Sequence, residues 1–409
     1  MSGVVIIGAG HAGVQLAVSL REARYTSDIH LLSADPDFPY HKPPLSKSFM
    51  ATEEAALQPL RGEEFFAQNN IELMLGVEVA KIDRAGKSLV YADGETIPYD
   101  KLVIATGTSA RKITVPGADL PQVYALRTAV DARAMRDALP TMENVVVIGG
   151  GFIGLEAAAM LSARGVQVDV VEVASRLLGR ATSKIVAKAI ADHLKKTGVR
   201  LHLNQSVKAI LAENGAVSGV QLEETLLAAD HVLVGVGAIP MDGLAQKAGL
   251  SVANGIVVDA YMATDDPDIF SIGDCVSFPQ VHLGQQTRLE SVQNATDQAR
   301  ALALTLTGVP TGYTALPWFW SDIGALKLQI SGLSDEPDQL IETYDADGTL
   351  KSVYHLKRGK LIACETLNSA GEHMLSRRMI VDGFTPDIGL LANGDVKALK
   401  QAYQNALHR

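Results

Sequence analysis

The sequence predicts an α/β protein in which two parallel-sheet domains of the same build are joined to a C-terminal α+β domain. Three observations carry this expectation. At 409 residues the chain has room for two to three domains of roughly 150 residues each. One strand, glycine-turn and helix pattern occurs twice, starting at Val4 and at Val145. Beyond about residue 316 the pattern changes to the apolar alternation of antiparallel strands. Hydrophobic residues make up 47% and charged residues 20%, a globular composition that excludes a disordered or collagen-like chain. The formal net charge of −10 argues against non-specific binding to nucleic acid or to an anionic membrane. Apolar stretches fall short of the roughly 20 residues of a membrane helix, and no basic segment precedes the apolar run at Val4. A soluble, cytoplasmic protein is expected.

The first copy reads Val4-Val5-Ile6-Ile7-Gly8-Ala9-Gly10-His11-Ala12-Gly13, and the second Val145-Val146-Val147-Ile148-Gly149-Gly150-Gly151-Phe152-Ile153-Gly154. Four β-branched residues in a row suit a strand buried on both faces. G-x-G-x-x-G follows, then helical spacing at Val14, Ala17 and Val18 in one copy and Leu155, Ala158 and Ala159 in the other. A second apolar strand closes each unit, Ile29 to Leu32 and Val166 to Val171. This is the start of a Rossmann-like dinucleotide-binding domain. Its first glycine makes the tight turn, its second admits a pyrophosphate and its third lets the helix pack closely, with helix N–H groups facing the anion. One such motif is weak evidence; two in the right context are strong.

Glu172 stands at the end of the second copy's second strand, where a carboxylate can bind ribose hydroxyls and repel a 2′-phosphate. That favours NAD over NADP, although Arg176 and Arg180 lie close by. The matching position in the first copy is Ser33, which leaves Asp35 as either a ribose ligand or a solvated loop residue. Residues 1–110 with 241–315 are expected to form the first dinucleotide domain, 111–240 the second, and 316–409 the C-terminal domain. In the last, Leu326, Leu328 and Ile330 alternate, Ser352–Glu365 reads as a hairpin turning at Lys357-Arg358-Gly359-Lys360, and Ser369-Ala370-Gly371-Glu372 reads as a capping box.

The two fingerprints, an Ala105-Thr106-Gly107 loop and a later Ile272-Gly273-Asp274 together resemble the two-dinucleotide-binding flavoproteins. Further motifs narrow the resemblance: Pro43-Pro44-Leu45-Ser46-Lys47, Leu126-Arg127-Thr128, Arg288 to Ala295, and Pro317-Trp318-Phe319-Trp320-Ser321-Asp322. They are similar to the ferredoxin reductases of oxygenase systems, the group of putidaredoxin reductase and biphenyl-dioxygenase ferredoxin reductase. The likeness runs the whole length of the chain.

That resemblance implies FAD in the first site and NADH in the second. It gives Gly8, Gly10, Ala12 and Gly13 to the FAD pyrophosphate, Val79 to the adenine, and Arg127 to the phosphate region. Asp274, after Gly273, is given to the ribityl chain or pyrophosphate, and the backbone N–H of Val292 to the flavin pyrimidine edge. Asp35, Lys42, Ala105, Thr106, Gly107 and Glu290 complete the FAD set. Gly149, Gly151, Ile153, Gly154, Glu172, Arg180 and Gly237 form the NAD set. Lys47, near the reactive ring nitrogen and paired with Glu156, and Trp320, against the ring, are the catalytic candidates. A cation and a helix N-terminus would both favour an anionic reduced flavin. Read alone, Lys47 is equally a solvated lysine, Glu156 a carboxylate near a helix start, Trp320 and Trp318 core aromatics, and Gly273-Asp274 a plain turn.

Cys275 and Cys364 stand far apart, with no second cysteine near either and none between Phe38 and Met50. A CxxC redox pair, a cysteine zinc site and a thiol relay are therefore excluded. Electrons would leave a flavin directly, and a 2Fe-2S ferredoxin feeding an oxygenase is the implied acceptor. Docking candidates are Lys357, Arg358 and Lys360 on the hairpin and Arg377-Arg378 on the following helix. The alternatives are a stand-alone NADH oxidase or diaphorase, and a redox sensor resembling apoptosis-inducing factor. A monomer or weak dimer is expected.

Overall fold

The computed structural model describes residues 3–52 and 54–407. Their contacts divide the chain into two compact units: residues 1–42, 56–109 and 238–315, and residues 43–55, 110–237 and 316–409.

The first unit is built on a five-stranded sheet in the order Ile269–Ser271, Lys101–Ile104, Val4–Ile7, Ile29–Ser33, Ile71–Leu75, all parallel. Val4, Val5 and Ile6 are fully buried, which is why this strand reads as an unbroken apolar run. Its neighbours are the next strand in sequence on one side and a much later one on the other. The chain order therefore reverses at its C-terminal end, where Gly8 begins the turn into the helix His11–Glu22. Such a switch point leaves a crevice beyond the strand ends. The helix Val292–Leu306 belongs to the same unit and is capped by Ser291, whose Oγ accepts from the N–H of Asn294 at 3.0 Å.

The second unit repeats the plan. Its parallel sheet runs Arg200–Leu203, Gln167–Glu172, Asn144–Ile148, His231–Val234, Val123–Tyr124, with the glycine turn after the central strand leading into the helix Phe152–Ser162. The C-terminal part of this unit is a five-stranded antiparallel sheet, Trp318–Ile323, Leu326–Gly332, Lys360–Leu367, Leu350–Lys357, Gln339–Tyr344, covered by the helix Ala370–Val381, against which the helix Val396–Leu407 packs. The hairpin turns at Arg358 and Gly359 with φ of 51° and 70°, both left-handed, as a two-residue loop demands.

Two expectations are corrected. Ser369 and Glu372 do not form a capping box, because Ser369 makes no side-chain bond to the helix backbone. Its Oγ instead donates to Glu372 Oε2, and that buried carboxylate is turned inward to Tyr354 Oη and Lys351 Nζ. Trp318 is not a core aromatic; it is half-buried, with the Arg377 guanidinium 4.4 Å above its ring. Among the described residues no helix is long and apolar enough to cross a membrane.

The strand that ends at Glu172 is pinned to its outer neighbour by a carboxylate. Asp169, 4% exposed, accepts from Arg200 Nε and Nη2 at 2.8 and 2.7 Å and contacts His202 Nε2 at 2.7 Å. Burial pushes its pKa up, but the bonds from Arg200 and His202 outweigh burial and hold it below the ordinary carboxylate value. A depressed folded-state pKa contributes stability above the unfolded value, and that contribution disappears as pH falls through the folded one. Arg200→Met should lower the thermal midpoint at pH 7 by roughly 2–6 °C, about 1–2 kcal/mol after screening at the half-exposed guanidinium. The deficit should shrink below about pH 4, where wild type loses the same contribution. Thermal melts of both proteins from pH 7 to pH 2 check this.

Candidate functional site

The three glycines of the first turn are required for different reasons. A Cβ on Gly8 (φ +111°) would lie 2.3 Å from the carbonyl oxygen of Ala105, and one on Gly13 only 1.9 Å from that of Gly8. Those two positions are dictated by packing. A Cβ on Gly10 would meet nothing within 4 Å. Packing inside the protein does not forbid a side chain there, and the open cradle fits a pyrophosphate. The helix His11–Glu22 has no side-chain cap, which leaves its first N–H groups for an anion.

The second turn has the same design. A Cβ on Gly149 (φ +110°) would meet Gly235 O at 2.5 Å, and one on Gly154 would meet Gly149 O at 2.5 Å. On Gly151 the nearest atom would be 3.8 Å away, and the helix it caps again has no side-chain cap. Glu172 reaches back to this loop: its Oε2 accepts from the N–H of Gly150 at 2.7 Å and its Oε1 from that of Ala174 at 2.8 Å. Each oxygen keeps a lone pair for a ribose hydroxyl. Arg176 is committed to its own loop, donating to Thr182 O at 2.6 Å and to Gly179 O, whereas Arg180 is exposed. Ile153 and Val173 expose apolar side chains at the helix start and just past Glu172, and Gly237 has a left-handed φ of +108°.

Around the first cradle, Gly273 (φ +86°) places its Cα so close to the fingerprint helix that a Cβ would sit 3.1 Å from that of Ala12. Ala105 donates its N–H to Ile7 O, Thr106 Oγ1 donates to Met241 O at 2.6 Å, and Gly107 O accepts from the Met241 N–H. Val292 is the first residue of its helix, and Val79 is a buried residue opening the strand Val79–Asp83. Asp35 shapes its own loop, accepting from the Asp37 N–H at 3.0 Å and from Tyr40 Oη at 2.9 Å. Lys42 Nζ stands 5.9 Å from the Tyr40 ring centre, and Glu290 pairs with Arg288 at 2.6 Å. His11, inside the fingerprint, meets His41 with 3.3 Å between Nε2 and Nδ1, a contact that no sequence signal announced.

In the second unit, Lys47 Nζ lies 3.0 Å from Glu156 Oε1 and 3.5 Å from Asp322 Oδ2. Glu156 is buried, and it also accepts from Ser46 Oγ and Ser321 Oγ at 2.6 Å each and from the Asp322 N–H at 3.3 Å. A buried carboxylate needs such a set of donors. Ser46, Ser321 and Asp322 lie within the Pro43–Lys47 and Pro317–Asp322 segments, and no local sequence pattern points to their meeting on one carboxylate. Trp320 packs 5.5 Å from Trp318, and Phe319 4.4 Å from Phe152. The Arg127 N–H bonds Asp131, the third residue of the next helix and the capping-box partner of its N-cap Thr128. Lys357 on the hairpin is paired with Asp335 at 2.7 Å, which weakens that basic cluster. Both cysteines are free and fully buried, and burial pushes each thiol pKa up.

Two uncapped glycine cradles, one in each unit, define the chain as an α/β protein made to hold two dinucleotides. It belongs to the pyridine nucleotide-disulphide oxidoreductase family, whose model matches residues 2–299; a reductase C-terminal model matches residues 318–402. The chain is 39% identical to rhodocoxin reductase of Rhodococcus erythropolis over 92% of its own length and 89% of that protein. It is 36% identical to putidaredoxin reductase of Pseudomonas putida over 96% of its length and 95% of that protein. Among solved structures, the ferredoxin reductase for the CYP199A2 system from Rhodopseudomonas palustris superposes with a TM-score of 0.95 at 42% identity, covering 98% and 100% of the two chains. The reductase in the covalent putidaredoxin reductase–putidaredoxin complex gives 0.93 at 34% identity, covering 98% of each. The family works with FAD and NAD(H).

Gly10→Ala should fold with a thermal midpoint near wild type yet lose bound flavin, whereas Gly13→Ala should fail to fold, since its clash is with backbone. Flavin absorbance per protein and circular-dichroism melts separate these outcomes. Glu172→Ala should weaken NADH binding about 5- to 50-fold through loss of charge-assisted bonds, and narrow the preference over NADPH. Titration with each nucleotide tests this; unchanged affinity for both would remove Glu172 from the ribose.

Proposed function

We propose that this chain is an FAD-dependent NADH:ferredoxin reductase, cytoplasmic, whose acceptor is a small 2Fe-2S protein serving an oxygenase. The observation that carries the reading is the pair of dinucleotide cradles in a chain whose two thiols are both buried and held protonated. FAD, when bound, accepts a hydride as an electron pair and can release electrons singly. The relatives' names support the acceptor: they include a ferredoxin reductase subunit of an O-demethylase from Sphingobium and the putidaredoxin reductase above.

In this reading the chain's own residues bind and orient. Gly8, Gly10 and Gly13 with the uncapped helix start hold the FAD pyrophosphate, and Gly149, Gly151 and Gly154 hold that of NADH. Glu172 selects the unphosphorylated ribose, a preference strengthened because Arg176 is spent on backbone carbonyls. Lys47, Glu156 and Trp320 are the proposed catalytic set, with Ser46, Ser321 and Asp322 keeping the Glu156 carboxylate in place. Arg377 and Arg378 are favoured over the hairpin for docking an acidic ferredoxin, since Lys357 is already neutralised by Asp335.

Stopped-flow mixing tests the reading. NADH should bleach the flavin rapidly, and colour should return at a catalytic rate only when an oxidised 2Fe-2S ferredoxin is added. Equally fast return with oxygen or a quinone alone would replace the ferredoxin reductase by a stand-alone oxidase or diaphorase.

A further inference from the structure

The first unit contains a buried amide that the flavin assignments leave unused. Gln298 lies in the second turn of the helix Val292–Leu306 and is completely buried. Its Oε1 accepts the backbone N–H of Gly273 at 2.7 Å, and its Nε2 donates to Asn294 Oδ1 at 3.4 Å. Asn294, also fully buried, donates through Nδ2 to Leu289 O at 3.2 Å and accepts at Oδ1 from Tyr313 Oη at 3.1 Å. Gln293 Nε2 reaches the same tyrosine oxygen at 3.5 Å and Asp297 Oδ2 at 2.6 Å.

The polarity of this chain is fixed at both ends. The Gly273 N–H can only donate and the Leu289 carbonyl can only accept, so each amide between them has one permitted orientation. Gln298 thereby ties the 273–274 turn to the helix that begins at Val292. The same turn abuts the fingerprint helix, where a Cβ on Gly273 would lie 3.1 Å from that of Ala12 and 3.9 Å from that of Ala295. The Gln298 side chain thus joins the turn after the strand Ile269–Ser271 to the helix that begins at Val292, and that turn itself lies against the helix after the glycine turn.

We propose that Gln298 is a positioning residue for FAD: by holding the Gly273–Asp274 turn against the helix at Val292, it fixes the spacing of the polar groups that grip the cofactor. The inference rests on the reading that this unit binds FAD. An apolar side chain would leave the buried Gly273 N–H unpaired and remove one of the two donors to Asn294 Oδ1, so the turn would drift and the grip loosen.

The test uses the purified holoprotein, diluted while free-flavin fluorescence is followed. In Gln298→Met the concentration at which half the flavin leaves should rise about 10- to 100-fold. Gln298→Glu supplies a control with its own signature. A carboxyl buried there, with Asp274 and Asp297 nearby, has its pKa raised, and when protonated it offers Gly273 an acceptor and Asn294 a donor. Flavin retention in Gln298→Glu should approach wild type near pH 5.5 and fall as pH rises toward 9, a trend absent from wild type. Tyr313→Phe removes a bond at the far end of the network and keeps the Gly273 contact, so it should lower the thermal midpoint and change retention less than threefold. The inference is overturned if Gln298→Met holds flavin like wild type, if Tyr313→Phe loses it equally, or if Gln298→Glu shows no pH trend. A wild-type protein that binds no flavin would instead overturn the cofactor reading on which the inference rests.

Discussion

The architecture depends on backbone touching backbone at two strand-to-helix turns. Gly13 lies against the Gly8 carbonyl and Gly154 against the Gly149 carbonyl, at distances where a Cβ would collide. This close approach sets each helix start directly over the end of a buried parallel strand, with no side-chain cap on its N–H groups. Affinity for an anion at that spot is then a by-product of packing: the helix cannot move off, and its free donors face the crevice at the switch point. The middle glycine is the part of the motif that packing does not require, and it separates a binding turn from a merely tight one.

A second constraint is the treatment of inward-facing charge. Glu156, Asp169, Glu365 and Glu372 are all buried, and each is met by donors from segments distant in sequence. Glu156 joins residues 46, 47, 321 and 322; Glu365 joins the helix cap Ser183 to His355. A buried carboxylate is costly unless its lone pairs are filled, so it tolerates few arrangements of its neighbours. These groups contribute little net stability for their number. What they supply is one geometry, holding the C-terminal sheet's first strand on the helix Phe152–Ser162 and the strand before Glu172 on its neighbour.

The thiols complete the chemical picture. Each cysteine lies in the interior of its own unit, where desolvation disfavours the thiolate. The family name refers to disulphides, yet both cysteines of this chain are free, buried and held away from the thiolate form.

The sequence by itself determined whatever depends on neighbours along the chain. Four β-branched residues before a glycine turn, Glu172 at the end of its strand, and a hairpin turning within Lys357-Arg358-Gly359-Lys360 are set by local sterics and periodicity, and all stand where the pattern put them. Tertiary structure decided what depends on partners many positions away. The Ser369–Glu372 spacing suited a cap, but a tyrosine and a lysine on an adjacent strand drew the carboxylate inward. Trp318 looked like core and instead lies half-buried beneath an arginine. His11 with His41, the four donors on Glu156 and the Gln298–Gly273 bond follow no local rule, because a hydrogen bond between distant residues exists only once the backbone has brought donor and acceptor together.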